Sequence, residues 1–482
     1  MTGQGRGDDS IRAQAAPTRC HPTLPIFGLA VGKRTVLYTP GQVAVVETQR
    51  FNTLRDLWQG TRHLPDAATA RLAATLADAA ATAVAAWERQ IAAPFRPVCL
   101  TVVLSNRCNL ACPYCYSAAA DRGTAAPSID EGRIDLAALT VAAHCRQRAM
   151  PLSLVIHGGG EASLHPKLVE QSVGLTRAAA EKAGVGWFGY IATNGVMPRQ
   201  FARRLAGWFD LVGLSCDGPP DIQDGQRPTV TGGRTARRIE STADTVHAAG
   251  GRLMVRATVT AQSAVRLTEI VDYAHTRLGA AALRLEPVYG VNGRAGGGFA
   301  AADAPTFVQH YLAAEGHAQT LGLPIELAGA RLDELHGPHC NFLKDVLQIG
   351  PNDAVLGCFL GAGGREGDAP TIGYWNANRT ALALDERRIG HLRSAAGTIP
   401  SRCQGCINAY HCARDCPETC YAADEYASQP GFPTIDSAAG NSFRCRVQQL
   451  LTAHWLAQAV MDKDGHHTTQ RGTALGHSLD SI

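Results

Sequence analysis

Apolar and polar positions along the chain follow three successive patterns. Between Leu24 and Ala92, short apolar runs at Ile26–Val31, Thr35–Tyr38 and Val43–Glu47 are separated by Gly32-Lys33 and Pro40-Gly41. Such turn-forming pairs between runs of this length predict two or three short strands. A helix near Asn52–Trp58 and a long Ala-rich helix over about Pro65–Ile91 follow. From Val98 to Val291 the runs Val98–Leu104, Leu152–His157, Trp187–Thr193, Leu211–Ser215, Leu253–Thr260 and Leu283–Pro287 alternate with amphipathic helical segments. Repeated β/α alternation predicts a parallel sheet, and right-handed crossovers curl it into an open barrel. From Pro338 to Cys445 the periodicity fades into Gly- and Pro-rich loops, before a closing helix at Arg446–Met461 and a polar tail.

The expected organisation is therefore a disordered leader (1–23), a small N-terminal α+β region (24–95), a partial (β/α)6 barrel (96–300), a helical linker (301–337), a loop-rich domain (338–448), and a C-terminal helix with a mobile tail (449–482). Composition narrows the function classes. The net charge is +3 over 482 residues, which gives no electrostatic case for nucleic acid or a membrane surface. No apolar run approaches the length needed to span a bilayer, and the N-terminus lacks the apolar core of an export signal. Fifteen cysteines without such a signal argue for metal ligands in a reducing cytoplasm.

Chemistry enters at Cys108-Asn-Leu-Ala-Cys112-Pro-Tyr-Cys115, which follows the first core strand. Three thiolates at this spacing can ligate three irons of a [4Fe–4S] cube and leave the fourth iron open, whereas electron-carrying clusters are normally held by four cysteines. A zinc knuckle is the competing reading, but zinc wants four N/S donors. A second set, Cys403-x2-Cys406-x5-Cys412-x3-Cys416, is flanked by Cys340 and Cys358 upstream and by Cys420 and Cys445 downstream. Eight thiols suffice for two further cubes, and zinc ribbons are the alternative. Cys20, Cys99, Cys145 and Cys216 read as inert, Cys20 in the leader and the others as small core residues.

The first cysteine loop resembles the signature of the radical S-adenosylmethionine (SAM) superfamily, in which SAM chelates the open iron of the cluster. That resemblance implies reductive cleavage of SAM to a 5′-deoxyadenosyl radical that abstracts a hydrogen atom, with a partial barrel as the fold. Gly158-Gly159-Gly160-Glu161 after the second strand resembles the family's Gly-Gly-Glu-Pro motif, with Ala162 in place of proline. On that likeness Gly159, Gly160 and Glu161 are expected at the SAM amino group. Asn194, Ser215 and Asp217, at the ends of the third and fourth strands, are expected at its ribose and carboxylate, although Asn-Gly and Asp-Gly-Pro are also plain turn formers. Arg256, a charge inside an apolar strand, must be paired; SAM's carboxylate and a structural salt bridge with Glu286 are both open. Arg227-Pro228 resembles a family feature on the substrate or lid side.

The second cysteine set resembles the SPASM extension, which holds two auxiliary [4Fe–4S] clusters. Carried over, Cys403, Cys406, Cys412 and Cys445 would hold the outer cluster, and Cys340, Cys358 and Cys416 the inner one. Its fourth ligand is either Cys420 or a substrate. The implied function is oxidative modification of a ribosomally made precursor peptide, with a flavodoxin- or ferredoxin-type reductant and with the 24–95 region as a possible peptide-recognition element. Formylglycine formation in sulfatases is the first alternative, disfavoured because Phe359-Leu360 follow Cys358 where an acidic base would stand. Small-molecule dehydrogenation and a non-catalytic iron–sulfur carrier are the others.

Overall fold

The computed structural model describes residues 16–61, 65–115, 128–288, 298–338, 340–351, 354–358, 371–378, 380–413 and 443–461. The N-terminal region is an antiparallel sheet in the order β1 (Thr18–Arg19), β2 (Phe27–Val31), β3 (Arg34–Thr39), β4 (Gln42–Glu47). Gly41, at φ +84°, supplies the left-handed turn that joins β3 to β4. Helices α1 (Thr48–Trp58) and α2 (Ala67–Ala92) follow. Asp66 caps α2 by accepting from the Thr69 N–H.

Residues 16–23 were expected to be disordered. They instead carry β1 and Cys20, which is only 3 % exposed and lies against Gly28.

The sheet buries both faces. Ile26, Leu37 and Val46 pack on α1 and α2 through Leu54, Leu76 and Ala80. Phe27, Leu29, Val36 and Tyr38 pack on Ile407 and on the C-terminal helix, through Ala453, Leu456 and Val460.

The core is a parallel sheet. Six of its strands match the expected runs: β5 (Cys99–Val102), β6 (Leu152–Ile156), β7 (Trp187–Thr193), β8 (Leu211–Ser215), β9 (Leu253–Val259) and β10 (Ala282–Pro287). The crossovers hold α3 (Glu131–Arg148), α4 (Pro166–Ala183), α5 (Arg199–Trp208), α6 (Pro220–Gln226), α7 (Ala236–Ala248) and α8 (Leu267–Asp272). After α9 (Ala304–Leu321), β11 (Ile325–Leu327) pairs with β10, and β12 (Val346–Ile349) pairs with β5. The sheet therefore has eight strands, with β11 and β12 at its two edges.

The two added strands correct the expectation of a helical linker and a loop-rich domain without a core. All four residues of β12 are buried, and Ile372, Trp375 and Ile389 join the main core cluster. Those residues belong to a small antiparallel sheet, β13 (Ala354–Leu356), β14 (Thr371–Trp375) and β15 (Leu382–Leu384), and to α10 (Glu386–Gly397). The closing helix is α11 (Phe443–Met461). Among the described residues no helix is long and apolar enough to cross a membrane.

Asp345 joins these parts just before β12. It adopts φ +54°, an uncommon conformation that Asp tolerates better than most residues. Its carboxylate accepts from Arg148 at 2.8 Å and from Arg393 of α10 at 2.9 Å. Arg393, 2 % exposed, also donates to the carbonyls of Gln90 and Phe342, so one guanidinium ties α2, α10 and the turn before β12. Replacing Arg393 by Met should cost about 3 kcal/mol, because it strands buried acceptors. Chemical denaturation checks this, and a loss below about 1 kcal/mol would contradict it.

Candidate functional site

The cysteine loop leaves the C-terminal end of β5 without a sheet of its own, and neighbouring loops hold it on both sides. On one side Gly160 N–H donates to Ser105 O at 2.8 Å, and Glu161 N–H to Arg107 O at 2.7 Å. A Cβ on Gly160 would lie 1.8 Å from Arg107 O, and one on Gly159, at φ +65°, would lie 2.5 Å from Val103. The glycines thus let this backbone lie directly against the loop that carries the thiols. On the other side Ala111 N–H donates to Pro228 O at 2.8 Å, and Val230 N–H to Asn109 O at 3.1 Å. The Arg227–Val230 segment is a strap across the loop.

Asp217 fastens the strap. Its side chain is 0 % exposed, and its carboxylate accepts from Arg227 Nε at 2.9 Å, Thr258 N–H at 2.9 Å, Gln226 Nε2 at 2.8 Å and the Tyr114 hydroxyl. All four lone-pair directions are used. The Arg227 guanidinium also stands over the Tyr114 ring, 5.5 Å from its centroid. Tyr114 lies between Cys112 and Cys115, so the buried ion pair is wired into the cysteine loop.

Glu161, 4 % exposed, is equally committed: it accepts from Ser163 N–H at 2.9 Å, Thr193 Oγ1 at 2.6 Å and Asn194 N–H at 2.7 Å. Asn194 donates through Nδ2 to Asn109 Oδ1 at 2.7 Å and approaches Cys108 Sγ at 3.8 Å. Cys108, Cys112, Cys115, Glu161, Ser215 and Arg227 share one cavity of ≈ 150 Å³. A cleft of ≈ 620 Å³ between α2 and α10 is larger, but its walls hold no cysteine; the donors, not the size, mark the site. Burial pushes the Cys108 thiol up to about 12 and raises that of Cys112, so ligation there must expel protons.

Inside the barrel Arg256 donates to Glu286 at 2.9 Å, and Arg284 reaches the same carboxylate at 3.0 Å. The structural salt bridge is therefore formed. Burial opposes ionisation of Glu286, but Arg256 and Arg284 outweigh it and hold the carboxyl below its usual range. Burial, reinforced by Arg256, brings His157 at the end of β6 down to about 3. Sequence reasoning missed His157 and the Tyr114–Asp217–Arg227 link. The available signals were a polar residue closing an apolar strand and the Arg227-Pro228 pair.

Cys403, Cys406, Cys412 and Cys445 lie where the N-terminal sheet meets α11. Asn341 N–H donates to Gly357 O at 3.1 Å, which brings Cys340 and Cys358 side by side in the backbone. Cys406 N–H donates to Cys403 O at 2.9 Å, and Cys445 at the start of α11 acts electrostatically on the Cys406 thiol. Gln449 Nε2 approaches Cys406 Sγ at 3.9 Å. Cys412 bridges to Ala330, and its neighbour His411 is hydrogen-bonded to Tyr38 of β3 at 2.5 Å. Cys416 and Cys420 lie outside the described residues. Among the described residues no three His, Cys, Asp or Glu side chains close around a single metal ion; the fit to clusters rests on the donor sets and their spacing.

Three thiols thus stand at the mouth of the first strand of a parallel sheet, with polar groups from the ends of the next three strands beside them. Residues 102–262 match the family described as the Radical SAM superfamily, and the chain carries a radical SAM domain. The cofactors of that family are a [4Fe–4S] cluster and SAM, and the three thiols, the cradle at Gly159-Gly160 and the polar rim are of the kind these groups require. No curated protein matches the chain. Among solved structures, the sulfatase maturase anSMEcpe with bound AdoMet is 16 % identical, with TM-score 0.58, over 76 % of this chain and 100 % of that one. The same protein with AdoMet and Cp18Cys peptide aligns over 77 % of this chain and 100 % of that one, with TM-score 0.56 and 16 % identity. Streptococcus suis SuiB bound to precursor peptide SuiA aligns over 86 % of this chain and 99 % of that one, with TM-score 0.50 and 16 % identity. At this identity the likenesses show the fold.

Replacing Gly160 by Ala should force the two loops apart and lower the iron content of the reconstituted protein by about four atoms per chain. Iron analysis checks this, and a wild-type content would contradict it.

Proposed function

We propose that the protein is a radical SAM enzyme that oxidatively modifies a ribosomally made peptide, with auxiliary iron–sulfur clusters on its second cysteine set. The observation that carries this reading is the shared cavity of Cys108, Cys112 and Cys115 with the rim residues Ser215 and Arg227. When bound there, the cluster and SAM together supply one-electron chemistry able to remove a hydrogen atom from an unactivated C–H bond. The protein's share is positioning and exclusion of water. Glu161, Asn194 and Asp217 hold the loops through their side chains, so Gly159, Gly160 and Glu161 present backbone to SAM and Ser215 presents its side chain, while Arg256 is committed to Glu286. The outer auxiliary cluster is assigned to Cys403, Cys406, Cys412 and Cys445, and the inner one to Cys340, Cys358 and Cys416, with Cys420 or substrate completing it.

Two observations favour a peptide substrate. The related folds include one bound to the Cp18Cys peptide and one bound to the precursor peptide SuiA. In addition, β4 ends the N-terminal sheet, and among the described residues nothing pairs with its outer side. Thr48 N–H bonds Lys33 O, so alternation along the β3–β4 register turns the backbone groups of Val43 and Val45 outward. An extended peptide can add there. Formylglycine formation is the second reading, favoured by the complete coverage of anSMEcpe and weakened by Phe359-Leu360 after Cys358.

Reduced, anaerobically reconstituted protein should release 5′-deoxyadenosine from SAM. The triple Cys108→Ala, Cys112→Ala, Cys115→Ala variant should release none while keeping about eight of about twelve irons. Product from that variant would overturn the site assignment. Proline at 43 or 45 blocks an outward N–H without breaking the β3–β4 ladder. Each change should weaken binding of labelled peptides encoded beside this gene about tenfold and leave peptide-free SAM cleavage intact; unchanged affinity would exclude edge recognition.

A further inference from the structure

We propose that the N-terminal ends of α5 and α7 form the docking surface for a small acidic one-electron carrier protein. This rests on the reading that the cysteine loop holds a redox cluster, which must receive an electron from outside the chain. The step forms no bond: the carrier is oxidised by one electron and the cluster reduced by one.

Five exposed arginines occupy this face: Arg199, Arg203, Arg234, Arg237 and Arg238. Arg199 Nε donates to Ser241 Oγ at 3.0 Å. Arg237 and Arg238 stand four and three residues before Ser241 on α7, on the same helix face, so the three guanidinium groups share one patch. Arg203 follows one turn after Arg199 on α5, and Arg234 immediately precedes the Thr235 N-cap of α7. The nearby carboxylates are engaged elsewhere. Glu240 and Asp244 pair with Arg277 at 3.4 and 2.9 Å, Glu170 faces Arg204 at 3.7 Å, and Asp224 accepts from the Thr235 and Ala236 N–H groups at 2.8 Å each. Among the described residues none of the five arginines closes a salt bridge; Asp244, paired with Arg277, also feels the charge of Arg199. The N-termini of both helices add partial positive charge.

The patch is joined to the thiol loop by short stretches of backbone. α5 begins just after Val196, whose carbonyl accepts from Asn109 Nδ2 at 2.9 Å. α7 begins at the end of the segment whose Pro228 and Val230 pair with Ala111 and Asn109. A carrier seated on the arginines therefore lies beside the loop that bears Cys108 and Cys112. The occupant is set by charge. The whole chain carries only +3, so this compact positive field is a local feature, suited to steering a small acidic protein.

The test uses the full chain, the charge-reversal variant Arg199→Glu/Arg237→Glu/Arg238→Glu and the neutral variant Arg199→Gln/Arg237→Gln/Arg238→Gln. A flavodoxin is the protein probe and dithionite the small-molecule reductant. Binding of the protein to immobilised flavodoxin, at low and high salt, is read apart from turnover. The reversal variant should bind at least about tenfold more weakly, with the salt dependence flattened, and the neutral variant should fall between. Flavodoxin-driven 5′-deoxyadenosine formation should drop in parallel, while the dithionite-driven rate stays at wild-type level. Wild-type binding and flavodoxin-driven rates in the reversal variant would overturn the proposal, as would a patch that binds only an anionic polymer such as heparin. Should the wild type yield no 5′-deoxyadenosine with either reductant, the reading of the cysteine site fails, and the binding measurement still decides the docking surface.

Discussion

A buried carboxylate is costly unless every lone pair finds a donor, and Asp217 meets that condition with donors from four different places. Tyr114 comes from the cysteine loop, Gln226 from α6, Arg227 from the strap and Thr258 from β9. Because none of these can leave without stranding the charge, the loop, the strap and the strand ends move as one. The Gly159-Gly160 contact closes the other side, where no side chain fits between the two backbones. The result is a loop outside the main sheet whose three thiols nonetheless face one cavity.

The same logic of shared partners joins the outlying parts to the barrel. One face of the N-terminal sheet packs on α1 and α2, and the other on α11 and on Ile407, which follows Cys406. Tyr38 reaches His411, next to Cys412. Arg393 and Asp345 bind α2 and α10 to the edge strand β12. The N-terminal region is thus built into the fold, and among the described residues the outer edge of β4 stays unpaired.

The barrel was legible because its strands are short apolar runs between amphipathic helices, and the convergence of Cys108, Cys112 and Cys115 on one cavity was legible because thiol spacing is local. What the sequence concealed depends on distant partners. Val346–Ile349 is too short to stand out among loops, and only pairing with β5 makes it a core strand. Cys20 reads as part of a polar leader until β1 pairs with β2. The glycines after β6 read as a ligand cradle, yet their tightest neighbour is the Arg107 backbone. Arg256 left two partners open, and the fold supplies Glu286, thirty residues away. Asp217 reads as a turn former, and its four donors come from segments that no local pattern connects.

The central claim is that Cys108, Cys112 and Cys115 hold a cube with one iron open to SAM. The most direct measurement is the electron paramagnetic resonance spectrum of the anaerobically reconstituted, reduced protein, with and without SAM. The signal should change when SAM is added, and the change should vanish when these three cysteines are replaced. A spectrum indifferent to SAM in the intact protein would contradict the account.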